Sequence, residues 1–376
     1  MRGFVGLACV SFALCAAVSA GGRERLAVNE DNDHYFKLDS SRMNRASLVA
    51  YLDDIIGSGK VTDFMMCPCG MRASFDSKAW EPIWAGLNDP NYEGRTNDIF
   101  AVNAKRLFDA GVDPYEVWIA RCREKGVRAW LSMRMNDFHC VTVSNHFRTT
   151  TFWRKRPDLR RTPDVDPTKG GGDWGLYVFN YAKEEVRDYH FAMFRELVDR
   201  YDADGIEMDW MRSPTLLTPG KEREEAHFLT AFMRRCREYA RAVASRRGRP
   251  LLVGVRVPST VEKALACGMD VAAWARQDSF DLLVATGFYG SNDFAIDTRA
   301  WTALLAANGS RAEFLPGSDI VEGKTADGKT RLMDEALYRT WTEAMRSRGA
   351  RGLYFFNVPY LPESVRRYVY DGRFAE

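Results

Sequence analysis

The sequence predicts one (β/α)8 TIM barrel of the α/β class, with long loops after its second and third strands. Eight short β-rich segments alternate with helical patterns along the chain. Most of these segments are continuous apolar runs, which is typical of parallel strands covered on both faces. Eight βα units in about 340 residues fit a barrel, since this fold typically needs about 250. An open doubly wound sheet is disfavoured, because no Gly-rich phosphate turn follows an early strand.

The strand segments are predicted from their runs of apolar, β-branched and aromatic residues. In chain order they are His34–Leu38, Val61–Met66, Arg128–Arg134, Gly205–Trp210, Leu251–Val257, Leu282–Gly287, Ala312–Leu315 and Gly352–Asn357. Apolar residues at three- and four-residue spacing predict the intervening helices. The clearest are Pro114–Lys125, Glu184–Tyr201, Arg223–Arg246, Thr298–Ala307 and Met333–Arg348.

Two long insertions follow the second and third predicted strands, over Cys67–Pro114 and Asn136–Glu184. Both are rich in Trp, Asp, Asn, Pro and Gly. Because loops after the strands form the functional face of a barrel, we expect these insertions to form the walls of a cleft there.

The composition excludes several classes of protein. Of 376 residues, 46% are hydrophobic and 28% charged, which is ordinary for a folded globular chain and argues against disorder or fibre. The 53 Lys and Arg nearly balance the 51 Asp and Glu, so nothing indicates a nucleic-acid partner. Aromatic residues reach 12%, with ten Trp, which favours a surface that holds a flat, partly apolar ligand.

The first 20 residues have the pattern of a cleavable secretory signal. Met1 and Arg2 give a positive start, Gly3 to Val18 is apolar or small, and Val18-Ser19-Ala20 suits a signal peptidase. We therefore expect a secreted or periplasmic protein whose residues 21–376 form a single catalytic-type barrel domain. An uncleaved anchor is the alternative, and no later segment is a candidate membrane span.

The most informative segment is Asp204-Gly205-Ile206-Glu207-Met208-Asp209-Trp210-Met211-Arg212-Ser213-Pro214. Strand side chains alternate, so Glu207 and Asp209 share a face and point into the barrel near its functional end. Two neighbouring carboxylates raise the pKa of one of them or require a cationic partner, which is an arrangement used for general acid–base chemistry. A buried ion-pair network with Arg134 or Arg256 is the structural alternative.

This segment resembles sequences of known sugar-cleaving barrels. It is similar to the fourth-strand signature of chitinase-type family 18 glycoside hydrolases, Asp-Gly-Ile-Asp-x-Asp-x-Glu, and closer to the Asp-Gly-Ile-x-x-Asp strand of glycosyl hydrolase-like 10 barrels of bacterial exported proteins. The resemblance implies a glycoside hydrolase on a (β/α)8 barrel. Met211 occupies the position of the catalytic Glu of the chitinases and cannot donate a proton, so a chitinase mechanism is not implied.

Other strand ends supply candidates for the rest of a site. After the third strand, Arg134, Asn136, Asp137 and His139 are suited to binding sugar hydroxyls. Arg256 on the fifth strand is expected to pair with the inward carboxylates, with substrate contact as its second role. The remaining candidates for substrate contact lie at the ends of the fourth, sixth and eighth strands: Trp210, Arg212, Tyr289, Asn357 and Tyr360.

Asp319, after the seventh strand, is the candidate second carboxylate. Barrel glycosidases of the retaining type hold their two carboxyl groups about 5–5.5 Å apart, and inverting ones about 6.5–9.5 Å. A turn or N-cap role for Asp319 is the alternative.

Metal chemistry is the main rival to carboxylate chemistry. Cys67, Cys69, His139 and Cys140 follow neighbouring strands, but their spacing matches no recognised zinc pattern. A disulfide such as Cys69–Cys140, or free thiols, is favoured in an exported protein. The sequence therefore indicates neither a metal nor another cofactor, and it contains no Ser-centred nucleophile elbow, P-loop or HExxH motif.

The sequence as a whole predicts an exported glycoside hydrolase that cleaves a poly- or oligosaccharide. Asp209, Glu207 and Asp319 are the predicted catalytic residues, and the residues named above on the other strand ends would bind the carbohydrate. A carbohydrate-binding barrel without catalysis is the first alternative, motivated by Met211, and a metal-dependent hydrolase is the second.

Overall fold

A computed structural model describes residues 24–31, 33–88, 98–143, 146–169, 174–288, 291–325 and 327–375. Eight parallel strands close into a barrel in the order β1-β10-β7-β6-β5-β4-β3-β2, which confirms the predicted (β/α)8 fold. The barrel strands are β1 (Arg25–Glu30), β2 (Asp63–Cys69), β3 (Arg128–Arg134), β4 (Gly205–Asp209), β5 (Leu252–Pro258), β6 (Leu282–Thr286), β7 (Glu313–Ser318) and β10 (Gly352–Phe356). An antiparallel hairpin of β8 (Val321–Lys324) and β9 (Thr330–Leu332) follows β7.

Helices surround the barrel, and the five predicted ones are confirmed to within two residues at each end. The described helices are α1 (Arg45–Ile56), α2 (Ile99–Asp109), α3 (Pro114–Lys125), α4 (Thr151–Lys155), α5 (Glu184–Arg200), α6 (Glu222–Arg247), α7 (Val261–Ala266), α8 (Val271–Arg276), α9 (Thr298–Ala307), α10 (Glu335–Ser347) and α11 (Glu363–Tyr370). Helix α3 shows why helix ends can be predicted from the sequence. The Asp113 carboxylate accepts from the backbone of Tyr115, Pro114 occupies the first turn, and Gly126 ends the helix at φ 66°.

The predicted first strand, His34–Leu38, is wrong. The barrel begins earlier, with Arg25–Glu30, which pairs with β2 and β10. Residues Tyr35–Lys37 instead form a 3-10 turn. The side-chain amide of Asn103 on α2 donates to the carbonyls of Phe36 and Leu38 and so satisfies two backbone acceptors that a strand would have paired. The predicted signal, residues 1–20, lies outside the described residues.

The lower part of the barrel interior is filled by an ion-pair network beneath an apolar layer. The Asp63 carboxylate accepts from Arg25, Arg128 and the indole N–H of Trp130. Above it, inward side chains form a separate core cluster of Ala27, Met65, Trp130, Leu282, Val284, Leu315, Tyr354 and Phe356. Gly205 belongs to this packing because the Trp130 ring occupies the space where a side chain would be. This layer therefore separates the Asp63 network from the polar groups nearer the carboxyl ends of the strands.

The substitution Gly205→Ala tests this packing. A Cβ atom at Gly205 would lie 2.3 Å from the Trp130 ring, so the ring must move inside a filled barrel. We expect a loss of about 1–3 kcal/mol in the free energy of unfolding, measured by chemical denaturation. Gly323→Ala in β8 is the matched control, because a Cβ there meets nothing within 4 Å. Equal stabilities of the two variants would contradict this account.

Candidate active site

Charged side chains of alternating sign line the carboxyl end of the barrel interior. We call Asp31, Arg134, Asp209, Arg256 and Asp319 the rim ring. Asp209 is in register with Arg134 on one side and with Arg256 on the other, so all three share the inward face. Arg134 forms ion pairs with Asp31 and, at 2.5 Å, with Asp137. Each buried charge in the ring thus lies beside one of opposite sign, as burial of charge requires.

Asp209 is held as a carboxylate in a fixed position. Arg256 donates to both of its oxygens, from Nε at 2.8 Å and from Nη2 at 3.1 Å. The backbone N–H of Met211 donates to the same carboxylate at 2.9 Å. The Arg256 guanidinium lies 4.0 Å from the centre of the Phe356 ring, which covers it. The side chains of Asp209 and Arg256 are both buried, so this pair forms part of the floor beneath the cleft.

Glu207 lies one layer deeper, with no solvent exposure. One of its oxygens accepts from Ser132 at 2.5 Å, Asn29 at 3.1 Å and Tyr354 at 3.2 Å. Burial and the negative charge of Asp209 raise the pKa of Glu207 to about 7, against the opposing effect of Arg256. Near neutral pH this carboxyl group therefore exchanges between its neutral and charged forms.

A cleft of about 960 Å³ opens above the rim ring. It lies at the carboxyl ends of the strands, where barrel enzymes place their sites. Six predicted site residues line it: Arg134, His139, Arg212, Asp319, Asn357 and Tyr360. Its remaining lining comes from the ends of β1 and β3, the start of α2, and the β8–β9 hairpin: Asp31, Asp33, Lys37, Asp98, Cys140, His146, Arg148, Ile320, Val321, Gly323, Lys324 and Thr330.

Asp319 is the predicted catalytic carboxylate that faces this cleft. Its oxygen accepts from the backbone N–H of Ile320 at 2.6 Å. The side-chain amide of Asn292 donates to the backbone carbonyl of Asp319 and to the Ser318 hydroxyl, and accepts from the backbone N–H of Asp319. Burial raises the pKa of Asp319, and the charge of Asp209 acts in the same direction, while Arg256 and Arg212 oppose them. A carboxyl group with a raised pKa at a cleft wall is suited to donate a proton.

Asp137, His139 and Arg212 form a chain of hydrogen bonds along the wall opposite Asp319. The Asp137 carboxylate accepts from the backbone N–H and from Nδ1 of His139, at 2.8 and 2.7 Å. Nε2 of His139 lies 3.3 Å from a guanidinium nitrogen of Arg212. Since arginine only donates, this geometry assigns the imidazole proton to Nδ1 and leaves Nε2 as an acceptor.

Two predicted binding residues shape the cleft beside β1 and β10. The Tyr360 hydroxyl donates to Asp33 at 2.7 Å, and the edge of the His34 ring lies against the Tyr360 ring with centroids 3.7 Å apart. Tyr360 is nevertheless 44% exposed, so a fixed aromatic ring faces the cleft. Asn357 adopts a left-handed backbone conformation, with φ 61°, directly after β10. Such backbone is strained in a non-glycine residue and is concentrated at functional sites.

The structure places other predicted site residues away from the cleft. Asn136 uses its side chain to bond the backbone of Phe179 and Thr215, and so joins two loops. Trp210 is fully buried outside the barrel, where it packs against Tyr181. Tyr289 lies outside the described residues. Glu207, Asp209, Asp137 and Arg256 are buried within or beside the floor rather than lining the cleft.

Several lining residues were not predicted. Asp31, Asp33 and Lys37 follow β1, whose position was predicted wrongly, although the acidic run after Leu26–Val28 was a usable signal. Asp98 caps α2 by accepting from the backbone of Phe100. The β8–β9 hairpin has short, mostly polar strands, half-buried in β8 and exposed in β9, without apolar alternation, so its sequence carries no strand signal.

The cysteines are free thiols throughout the described chain, so the suggested Cys69–Cys140 disulfide is wrong. Cys69 is completely buried on β2, whereas Cys140 lies at the cleft wall in a left-handed turn with φ 65°. Within the described ranges, no three His, Cys, Asp or Glu side chains are grouped as a metal site would require. Nor does any described helix combine the length and apolar character of a membrane span.

Comparisons with known proteins identify the fold but not a family. No protein-family model matches the chain. A 62-residue segment is 39% identical to the 1,4-α-glucan branching enzyme GlgB of Thermosynechococcus vestitus, covering 16% of this chain and 8% of that enzyme. A glycoside hydrolase family 18 N-acetylglucosaminidase from Paenibacillus barengoltzii superposes with a TM-score of 0.50 at 11% identity, over 93% of this chain and 99% of that one.

Two further solved structures are similar at lower scores. An endo-β-1,4-mannanase from Thermotoga petrophila gives a TM-score of 0.49 at 12% identity, over 89% of this chain and 68% of that one. The galactosidase domain of the α-galactosidase-sucrose kinase AgaSK gives 0.47 at 12% identity, over 94% of this chain but only 40% of that one. At 11% identity, the likeness to the family 18 N-acetylglucosaminidase shows a shared fold and nothing further.

Glu207→Gln tests the buried carboxyl group. Between the ordinary pKa of 4.5 and the raised value of about 7, the folded chain retains a proton that the unfolded chain has lost. The free energy of unfolding of the parent protein therefore falls as pH rises through this window. Because Gln cannot ionise, the variant should gain about 1–3 kcal/mol relative to the parent at pH 8 compared with pH 5, by chemical denaturation. Glu343→Gln, at an exposed position on α10, should show no such pH-dependent difference; an identical response in both variants would refute the burial effect.

Proposed function

We propose that the chain is an exported glycoside hydrolase that cleaves glycosidic bonds of a poly- or oligosaccharide in the cleft. The cleft volume is at the upper end of the range of about 300–1,000 Å³ for small-molecule sites. Its lining combines carboxylates, arginines, an amide and the exposed ring of Tyr360, groups that bind sugar hydroxyls and sugar faces. The likeness of the barrel to glycoside hydrolases supports the same reaction class by analogy of fold alone.

The observation that carries this proposal is the unequal environment of two acids in the rim ring. Asp209 is bonded to Arg256 and a backbone N–H as a carboxylate, whereas Asp319 faces the cleft with a raised pKa. Glycosidases depend on such a division. One acid is protonated and donates its proton to the leaving sugar oxygen, while another group is charged. Asp319 is then the proton donor, and Asp209 stabilises the positive charge that develops on the sugar ring.

Glu207 has a supporting role in this proposal. It has no surface in the cleft, and its partners Asn29, Ser132 and Tyr354 all belong to the barrel interior. Its neutral form leaves the Asp209–Arg256 pair electrically balanced, whereas its charged form would add a second negative charge beside Asp209. Glu207 therefore changes the electrostatic environment of Asp209 without contacting the substrate.

A carbohydrate-binding barrel without catalysis is the second candidate. Met211 favours it, since it occupies the position of the chitinase-type proton donor and is buried against the floor. This candidate requires a bound glycan that is never cleaved.

Asp319→Asn separates these two functions. Loss of the proton donor should lower kcat about 10²- to 10⁴-fold while glycan binding persists. The measurement is reducing-end release from a panel of polysaccharides, with binding followed by calorimetry. Asp327→Asn is the control, because Asp327 is exposed between β8 and β9 and pairs with Lys329. Binding without cleavage by the parent protein would identify the non-catalytic barrel, and undiminished cleavage by Asp319→Asn would remove this residue from catalysis.

Asp209→Asn and Glu207→Gln distinguish the two buried acids. An amide at Asp209 removes the negative charge that balances Arg256 and leaves a buried cation, so we expect kcat to fall at least as far as in Asp319→Asn. Glu207→Gln replaces a group that is already mostly neutral below its pKa, so turnover at pH 6 should remain within about tenfold of the parent. Wild-type turnover by Asp209→Asn would contradict the proposed role of the ring.

A further inference from the structure

A second proton-transfer group faces Asp319 across the cleft. In the closed strand order, β7 and β3 are separated by three strands in each direction, so their carboxyl ends lie on opposite sides of the barrel mouth. Asp319 directly follows β7, and His139 lies in the loop after β3. Both side chains line the same cleft.

The hydrogen bonds around His139 prepare its Nε2 atom to accept a proton. The Asp137 carboxylate accepts a hydrogen bond from Nδ1 of His139 at 2.7 Å, and Arg134 in turn pairs with Asp137 at 2.5 Å. The side chain of Asp137 is almost completely buried, whereas that of His139 is 30% exposed. A buried carboxylate that fixes the tautomer of a histidine whose other nitrogen faces a reaction site is the arrangement of a general base.

The charges that face His139 keep its ring neutral. The Asp137 carboxylate acts to raise the pKa of the imidazole, but burial and the positive charges of Arg134 and Arg212 outweigh it and lower that pKa below its usual value. The guanidinium contact of Arg212 to Nε2, at 3.3 Å, is long for a charge-assisted hydrogen bond. A water molecule therefore competes for Nε2 at little loss.

We infer that Asp137 and His139 form a proton-accepting dyad that activates the water molecule attacking the anomeric carbon of the glycan. This inference rests on the proposed hydrolase function and names its base. His139 is the catalytic residue of the dyad, and Asp137 is the positioning residue that holds its tautomer.

His139 and Asp319 together account for both proton transfers of the hydrolysis. The water oxygen forms a bond to the anomeric carbon while its proton moves to Nε2 of His139. The bond from that carbon to the leaving oxygen breaks, and this oxygen takes the proton of Asp319. The site is left with an Asp319 carboxylate and a His139 imidazolium, and proton exchange with solvent restores both. Because the base and the acid stand on opposite sides of the sugar, the product has inverted configuration.

The first arm of the test observes the tautomer directly and needs no activity. In the full chain labelled with ¹⁵N-histidine, the five histidines are resolved by long-range ¹H–¹⁵N correlation, and His139→Gln assigns the signal. We expect a proton on Nδ1 and none on Nε2 at pH 7, and a reduced share of this tautomer in Asp137→Asn. A proton on Nε2, or on both nitrogens, would overturn the dyad.

The second arm measures catalysis on a polysaccharide that the parent protein cleaves. His139→Gln, which keeps an acceptor for Arg212, should lower kcat about 10²- to 10⁴-fold with a small change in KM, and imidazole should restore part of the activity of His139→Ala. The first product observed by ¹H NMR should be the inverted anomer. His227→Gln, at an exposed position on α6, is the control for loss of a histidine.

The outcomes separate this inference from the function on which it rests. Cleavage that persists at the parent rate in His139→Gln, or that retains configuration, overturns the dyad and leaves the hydrolase intact. A parent protein that binds glycans and cleaves none overturns the hydrolase, and with it the water-activating role of His139, even where the tautomer is as expected.

Discussion

The need to neutralise charge inside the mouth of the barrel governs the arrangement of this site. Five charged side chains converge where the strands end, and a single unpaired charge there would cost several kcal/mol. Alternation of sign around the rim ring solves this problem, because Arg134 pairs with Asp31 and Asp137 and Arg256 pairs with Asp209. The parallel register makes this possible, since it places Arg134, Asp209 and Arg256 at one level. Substitution of any member therefore changes the environment of the others.

In the proposed mechanism, the same ring divides the acids into fixed and reactive groups. The carboxylate of Asp209 accepts hydrogen bonds from Arg256 and from the backbone N–H of Met211, and it lies beneath the surface of the cleft. Asp319 has one backbone donor and faces the cleft, so its proton can reach a substrate. Asp137 forms an ion pair with Arg134 and bonds Nδ1 of His139, so it fixes the orientation of that ring. The reactive atoms of the proposed site thus belong to residues that the buried pairs position.

The barrel was predictable because its signals are local. Continuous apolar segments and capped helices locate seven of the eight strands and five helices. The first strand was misplaced because Tyr35 and Phe36 are aromatic and buried without being a strand, and only the distant Asn103 makes their turn stable. The motif around Asp209 was found as a pattern, yet its partner Arg256 is covered by Phe356, a residue on another strand. Which acids face the cleft is therefore decided by tertiary contacts that alternation alone does not show.

In the proposed function, the position of Met211 explains why the reactive acid lies elsewhere. In the resembling chitinase signature, the proton donor comes two residues after the last of the three Asp residues. Here that position lies in a 3-10 turn whose backbone N–H is bound to Asp209, and its side chain is buried. A carboxylate at Met211 would add a third acid beside Asp209 and Glu207, and Arg256 alone could not neutralise all three. With Met211 instead of an acid at this position, the Asp209–Arg256 pair can form a stable floor. In the proposed mechanism the proton donor therefore comes from another strand, and Asp319, which lines the cleft, is the carboxyl group that takes this role.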